Sequence, residues 1–179
     1  MDERRWVAFL RGMNLGGRRV TNDELVGAVR SFGCDDVEAY QASGNVVFND
    51  HRDADELADA LENGLAAELG YPVPVFLRDA DEVRAVAAAS PFTADQLASS
   101  DGRRQVVFLH DEPSADALHE VAALLPDGDV LVPAGRELHW LPAGGLSDNG
   151  MDLHRLDQLT GGTTIRTHGT VQRIARKYL

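Results

Sequence analysis

The sequence is poor in cysteine and in long apolar segments. Its 179 residues include one cysteine, Cys34, so no intramolecular disulfide can form, as is typical of a cytoplasmic protein. No apolar run approaches the roughly 18 residues that a membrane-spanning helix needs, and the first residues lack the apolar stretch of a signal peptide. We therefore expect a soluble, cytoplasmic protein without a membrane partner.

Basic residues are also scarce. The chain has 17 lysines and arginines against 29 aspartates and glutamates, a formal net charge of -12. A general nucleic-acid binder needs a basic face, and the strands carry no aromatic RNA-recognition signature, so we expect no nucleic-acid partner. The positive charge that exists is concentrated near the two ends of the chain, over residues 1–30 and 163–179. If these ends meet, they create a local positive spot, whereas the acidic middle is typical of a solvated surface.

Signatures of metal binding and catalysis are missing as well. The six histidines show no metal-ligand spacing, so we predict no metal site, and no cofactor or catalytic residue is indicated. Two aspartates follow Cys34 and disfavour a reactive thiolate. Residues 52–57 and 78–83 repeat nearly the same acidic sequence, and because each repeat precedes a predicted helix, we interpret the acids as helix caps.

The first half of the chain predicts a ferredoxin-like order of elements. Apolar runs with β-branched and aromatic residues predict strands, and apolar residues three or four positions apart predict two helices. The Thr-x-x-Glu sequence at Thr21 predicts a capping box for the first helix. The predicted strands span residues 5–10, 37–41, 46–48 and 73–77, and the predicted helices span roughly 22–32 and 54–69. The order β-α-β-β-α-β predicts an antiparallel sheet with both helices on one face.

The second half repeats this order less clearly. Strands at 105–109, 130–132 and 137–141 and helices near 114–125, 151–159 and 170–178 are indicated, with 163–166 as the only candidate for a last strand. We predict an α+β protein with two ferredoxin-like subdomains. The amino-terminal subdomain covers 1–89, an irregular connector covers 90–104, and the carboxy-terminal subdomain with its terminal helix covers 105–179.

Three polar segments remain after the core and the caps are assigned. Residues 11–19 combine three glycines with three flanking arginines, which suits an anion, although they form neither a Walker loop nor a dinucleotide fingerprint. Residues 43–45, Ser-Gly-Asn, suit a hairpin turn. Residues 161–170 place hydroxyls, an arginine and a histidine before a helix, where they could bind an anion or cap the helix through Thr167 or Thr170.

These three segments resemble the signatures of the bacterial domain of unknown function 1697 family. Residues 10–17 stand where the family has Leu-Arg-Gly-Ile-Asn-Val-Gly-Gly, and residues 43–46 stand where it has Ser-Gly-Asn-Val. Residues 164–171 are similar to Thr-x-Arg-Asn-Trp-x-Thr-Val, with Thr167 and His168 replacing Asn-Trp, and Asp148 stands upstream where members often have basic character. The resemblance implies an α+β fold of two ferredoxin-like parts and no particular activity.

Two classes of function follow. In one, the segments converge on a pocket between the halves that binds a small anionic ligand, such as a nucleotide or phosphorylated metabolite. In the other, the chain is a non-catalytic interaction or structural module in which the same polar groups only hold the two subdomains together. An enzyme using His168 as a base is a third, weaker option. The predicted ligand-binding residues are Arg11, Asn14, Gly16, Gly17, Ser43, Asn45, Thr164, Arg166 and His168.

Overall fold

Two four-stranded antiparallel sheets form the framework of the protein. A computed structural model describes residues 3–13, 17, 19–41, 43–144 and 150–179. The first sheet and its helices are β1 (Arg4–Leu10), α1 (Asn22–Ser31), β2 (Asp35–Ala39), β3 (Asn45–Asp50), α2 (Ala54–Leu69) and β4 (Val75–Asp79). Two connecting helices follow, α3 (Ala80–Ala88) and α4 (Ala94–Ala98). The second sheet and its helices are β5 (Gln105–Leu109), α5 (Ala115–Ala122), β6 (Val130–Ala134), β7 (Glu137–Leu141), α6 (Leu153–Thr160) and β8 (Thr163–Thr167), and α7 (His168–Tyr178) ends the chain.

The strand order of each sheet is the ferredoxin-like one. The first sheet runs β2-β3-β1-β4 and the second runs β6-β7-β5-β8, with all neighbouring strands antiparallel. In each sheet the first strand lies in the middle, because the two helical crossovers carry the chain back over the same face. The predicted fold class is therefore confirmed, and the doubtful last strand of the second half exists as β8.

The chain divides into two compact units. The first unit comprises Met1–Ala85 together with Ile174–Leu179, and the second comprises Val86–Arg173. The predicted bounds differ from these at three places: residues 86–89 are predicted in the first subdomain, residues 90–104 as a separate connector, and residues 174–179 in the second subdomain. The reason is that α3 and α7 are each continuous helices, so the change from one unit to the other falls inside a helix, where the sequence has no linker composition.

The core of the first unit lies between one face of its sheet and the two helices. Trp6, Ala8 and Leu10 alternate along β1 and contribute to a buried cluster with Leu25 of α1 and Leu61 of α2. This follows from the two-residue period of a strand and the three- to four-residue period of a helix. Both helices therefore cover a single face of the sheet, as predicted.

The second unit repeats this arrangement. Val107 and Leu109 of β5 share a buried cluster with Leu138 and Trp140 of β7 and with Leu156 of α6. The indole N–H of Trp140 donates to a carboxylate oxygen of Asp129 at 2.8 Å, which satisfies the one polar atom that this large side chain carries into the core.

Side-chain caps fix the beginnings of the helices. Thr21 and Glu24 form the predicted capping box, and Asp53 accepts the Glu56 backbone N–H at 2.9 Å. In the second acidic repeat, the Glu82 N–H donates to Asp79 at 2.8 Å while the Glu82 carboxylate accepts the Asp79 N–H at 2.9 Å. The interpretation of both acidic repeats as caps is therefore confirmed.

The connector predicted to be irregular contains the short helix α4. Thr93 and Gln96 form a complete capping box at its start, a Thr-x-x-Gln signal that the sequence analysis overlooked. Strand β4 begins two residues later than predicted, because Pro74 has no N–H for the ladder. No helix in the described ranges is long and apolar enough to cross a membrane.

Candidate functional site

The amino-terminal loop is described in part. Asn14 and Gly16 lie outside the described residues. Gly17 is exposed with φ 84°, a left-handed conformation that favours glycine. Arg11 is half-buried, and its backbone N–H donates to the Pro74 carbonyl at 3.1 Å, which ties the start of the loop to the residue before β4.

The Ser43-Gly44-Asn45 segment is a tightly bonded turn. The side-chain amide of the fully buried Asn45 donates to the Tyr40 carbonyl at 2.9 Å and to the Ser43 hydroxyl at 2.8 Å. Gly44 has φ 72°, and a Cβ there would meet the Met13 side chain at 2.6 Å. Because both amide hydrogens of Asn45 are used within the turn, the contacts favour the hairpin-turn interpretation of this segment.

Thr164 and Arg166 lie on one face of β8 and bond to each other. Arg166 Nη1 donates to the Thr164 hydroxyl at 2.8 Å and to the Ile165 carbonyl at 2.9 Å. Burial lowers the pKa of Arg166 to about 10. A guanidinium still carries its charge at neutral pH under these conditions, so Arg166 is a buried cation in the second unit.

The first unit has a matching buried arginine that the sequence analysis missed. Arg78 on β4 is 1% exposed, and its Nη1 donates to the carbonyl of the preceding Leu77 at 2.8 Å. Arg78 stands opposite Val7 of the central strand, as Arg166 stands opposite Val106. The two units therefore share a buried arginine at equivalent positions, on the last strand of each sheet. Each arginine follows a residue that packs into the helix-covered core, Leu77 before Arg78 and Ile165 before Arg166, so both arginines lie on the opposite face of their sheets.

His168 is the first residue of α7 and is 3% exposed. Its Nε2 lies 3.2 Å from the Val86 carbonyl, which can only accept, so we assign the proton of the neutral ring to Nε2. The other ring nitrogen, Nδ1, is buried and has no hydrogen-bond partner in the described part of the chain. Burial, followed by the charge of Arg104, lowers the pKa of His168 and favours the neutral imidazole.

A cavity of about 540 Å³ in the second unit includes His168 in its wall, and we call it the basic cavity. Three arginines line it, Arg103 and Arg104 before β5 and Arg173 on α7, and no carboxylate lines it within the described ranges. None of these arginines forms an ion pair with a described residue. Within the described part of the chain, the cavity therefore has three guanidinium groups without an ion-pair partner, although the net charge of the protein is negative.

The start of α7 adds to the positive character of the basic cavity. Thr167 and Gly169 also line it. The Thr167 hydroxyl accepts the Thr170 backbone N–H at 3.2 Å and thereby caps the helix, as one of the two sequence alternatives proposed. The first turn of a helix carries partial positive charge from its backbone N–H groups, which favours an anion nearby.

Hydrogen bonds fix the backbone of the loop that carries Arg103 and Arg104. The Arg104 carbonyl accepts the His168 N–H at 2.9 Å, which extends the pairing of β5 and β8 by one step. Just before it, the Asp101 N–H donates to the Ala143 carbonyl at 3.1 Å, and the Gly102 N–H donates to the Ser100 hydroxyl at 3.0 Å. The loop is thus bonded on both sides of its arginine pair.

A second cavity, of about 480 Å³, lies in the first unit beside α1 and the end of α2. Arg19 lines it together with Glu24 and Glu68, so its charge does not favour an anion. Glu24 is also the capping residue of α1, so its carboxylate stays in the wall of this cavity and disfavours an anion there.

Cys34 belongs to a buried polar cluster in the first unit. Arg52 donates to both oxygens of the 2% exposed Asp50, at 2.9 and 2.5 Å, and to the Cys34 sulfur at 3.6 Å. Burial and the neighbouring Asp50 raise the pKa of Cys34 to about 12. The thiol is therefore unreactive near neutral pH, and the cluster has a structural character.

Among the predicted site residues that the structure describes, one lines the basic cavity. His168 is in its wall, while Thr164 and Arg166 in the same unit do not line it. Arg11, Gly17, Ser43 and Asn45 belong to the first unit, and a site shared by both units stays a prediction. No sequence motif indicates Arg103, Arg104 or Arg173 as a site residue, although positive charge is concentrated over residues 163–179.

Comparison with known proteins adds a family and a fold. The family model described as "Protein of unknown function (DUF1697)" matches residues 4–139, which include two of the three quoted motifs. The solved structure of the conserved bacterial protein SP0830 from Streptococcus pneumoniae is similar, with 24% sequence identity, a TM-score of 0.76 and 98% of each chain covered. At this identity the likeness concerns the fold alone. No curated protein matches the chain.

Proposed function

Because the chain belongs to the DUF1697 family of proteins of unknown function, we propose its function from the chemistry of the basic cavity: its second unit binds a small anionic molecule. The observation that carries this proposal is the group of three arginines without a carboxylate partner among the described residues. Guanidinium groups bind phosphate and carboxylate oxygens through paired, charge-assisted hydrogen bonds.

Size and charge together favour a nucleotide or phosphorylated metabolite. A volume of about 540 Å³ lies within the range of small-molecule sites. Three guanidinium groups and a helix start match a doubly charged phosphate better than a singly charged carboxylate. The net charge of -12 argues against an extended nucleic acid, because such a ligand would be repelled over most of the chain.

His168 supports the same proposal. A buried polar atom without a partner costs free energy, and Nδ1 of His168, a residue that lines the basic cavity, has no hydrogen-bond partner among the described residues. A neutral imidazole with its proton on Nε2 keeps Nδ1 as a hydrogen-bond acceptor.

The alternative of a purely structural role is favoured for a different segment. Ser43 and Asn45 use their side chains within the hairpin turn of the first unit. For these two residues we therefore propose that the polar groups stabilise the fold and do not contact a ligand.

Substitution of Arg173 tests the proposed function. We expect inorganic phosphate, nucleoside monophosphates and sugar phosphates to raise the melting temperature of the protein if they enter the basic cavity. The Arg173→Gln variant should bind about tenfold more weakly, since one charge-assisted hydrogen bond contributes about 1.5 kcal/mol. Isothermal titration calorimetry of the wild type and of Arg173→Gln measures the difference in dissociation constant.

The matched control is Arg176→Gln. Arg176 is exposed on the same helix one turn later and does not line the basic cavity, so its removal should leave the affinity unchanged. Equal weakening by both variants would indicate unspecific attraction by positive charge, and the absence of any phosphate binding would refute the proposal.

A further inference from the structure

One apolar side chain in the basic cavity suggests what the ligand carries besides its anionic group. Among the described residues two large apolar side chains are exposed, Leu97 at 38% and Leu153 at 45%. Leu97 lines the basic cavity, together with the buried Leu141, whereas Leu153 does not. The cavity therefore combines a cationic wall with an accessible apolar one.

Leu97 is held at this place by its own helix. Thr93 and Gln96 cap α4 reciprocally, and the Leu97 N–H donates to the Thr93 carbonyl at 3.0 Å. The Ser99 hydroxyl donates to the Asp95 carbonyl at 2.7 Å at the other end. A helix of five residues needs such bonds at both ends, because it has few internal ones. The exposed leucine is thus presented by an ordered segment.

We infer that the basic cavity takes a phosphate monoester whose organic part presents an apolar or aromatic face to Leu97. This inference rests on the proposed function and adds the class of ligand to it. The volume of about 540 Å³ is far more than a phosphate group needs, which leaves room for an organic body. Burying the exposed part of Leu97 against that body removes apolar surface from water and increases affinity.

Three phosphate compounds distinguish the contribution of the anionic group to the affinity from that of the organic part. Inorganic phosphate supplies the anion alone, glycerol phosphate adds a polar body, and phenyl phosphate adds an apolar one. We expect phenyl phosphate to bind the wild-type chain about fivefold more tightly than glycerol phosphate, the order expected for partial burial of one leucine. Isothermal titration calorimetry gives the three dissociation constants.

Substitutions of Leu97 test whether this residue causes the tighter binding of phenyl phosphate. Leu97→Ser should weaken phenyl phosphate more than glycerol phosphate and so remove the advantage of phenyl phosphate. Leu97→Phe should keep or increase the advantage. Leu153→Ser is the matched control, because it removes a similarly exposed leucine of the same unit outside the basic cavity, and it should leave all three dissociation constants unchanged.

The outcomes distinguish the two proposals. If none of the three compounds binds, the proposed function itself is wrong. If they bind and Arg173→Gln weakens them, but phenyl phosphate has no advantage or Leu97→Ser preserves it, the proposed function stands and the inference about the organic part is overturned. Equal weakening of all three compounds by Leu97→Ser would likewise overturn it, since that result indicates a structural effect.

Discussion

Replacing Gly102 with valine is expected to destabilise the protein by about 3 kcal/mol or more. A Cβ at this position would lie 2.2 Å from the Pro142 carbonyl oxygen and 2.7 Å from that of Gly144. Both atoms belong to the backbone, so a side-chain rotation cannot relieve the contact. The loop must move, and with it the arginine pair that follows.

Urea denaturation measures this effect, with Gly150→Ala as the control. A Cβ added at Gly150 meets no atom of the described residues within 4 Å and its φ is not left-handed, so its substitution should change the free energy of unfolding little. The variant Gly102→Ala introduces the same Cβ with less bulk, so we expect it to remain folded. Its affinity for phosphate should fall several-fold, because the loop that carries Arg103 and Arg104 must move. Wild-type stability and affinity in Gly102→Ala would contradict the close approach described for this loop.

Removing the carboxylate of Asp50 is the second large effect we expect, a loss of about 3 kcal/mol in the Asp50→Ala variant. Asp50 is 2% exposed and accepts from the backbone N–H and the side chain of Arg52. Without it, Arg52 keeps its part-buried contacts to Phe32 and Cys34 but loses the carboxylate with which it forms an ion pair. Chemical denaturation of the variant and of the wild type near neutral pH gives the difference.

The ion pair of Asp50 and Arg52 also predicts how the stability of the fold changes at acid pH. Burial works to raise the pKa of Asp50, but hydrogen bonds from Arg52 outweigh it and lower the pKa from 3.8 to about 2. A carboxyl with a lowered pKa stabilises the fold above its unfolded pKa, and this contribution disappears as the pH falls toward the folded value. The stability difference between wild type and Asp50→Ala should therefore shrink between about pH 4 and pH 2. A constant difference over that range would contradict the ion pair.

Local sequence signals predicted most of the fold. Alternation along β1, the capping box at Thr21 and the glycines that end helices act between neighbouring residues, so they can be read without a structure. Errors arose where a signal was weak or conflicting. The Thr93 capping box stood in a segment with few apolar residues, and the prolines before Val75 masked where β4 begins.

The basic cavity could not be predicted in the same way. Arg103 and Arg104 are about seventy residues from Arg173 along the chain, and each reads as an ordinary solvated arginine. Their proximity follows from the register of β5 with β8, in which Gln105 stands opposite Thr167. A pairing register depends on packing across the whole sheet, so it is not contained in any local motif. His168 was recognised because its own segment combined a histidine with helix-start residues.

Ligand binding in the basic cavity is tested most directly by titrating the isotope-labelled full chain with phenyl phosphate. The backbone amide resonances are recorded at each step of the titration. Binding in the basic cavity predicts saturable shifts for residues 102–104 and 167–169, with small changes at Arg11, Ser43 and Asn45. Shifts confined to the three latter residues would support the predicted site that includes the amino-terminal loop and would contradict the basic cavity. An unchanged spectrum at saturating phenyl phosphate would refute ligand binding altogether.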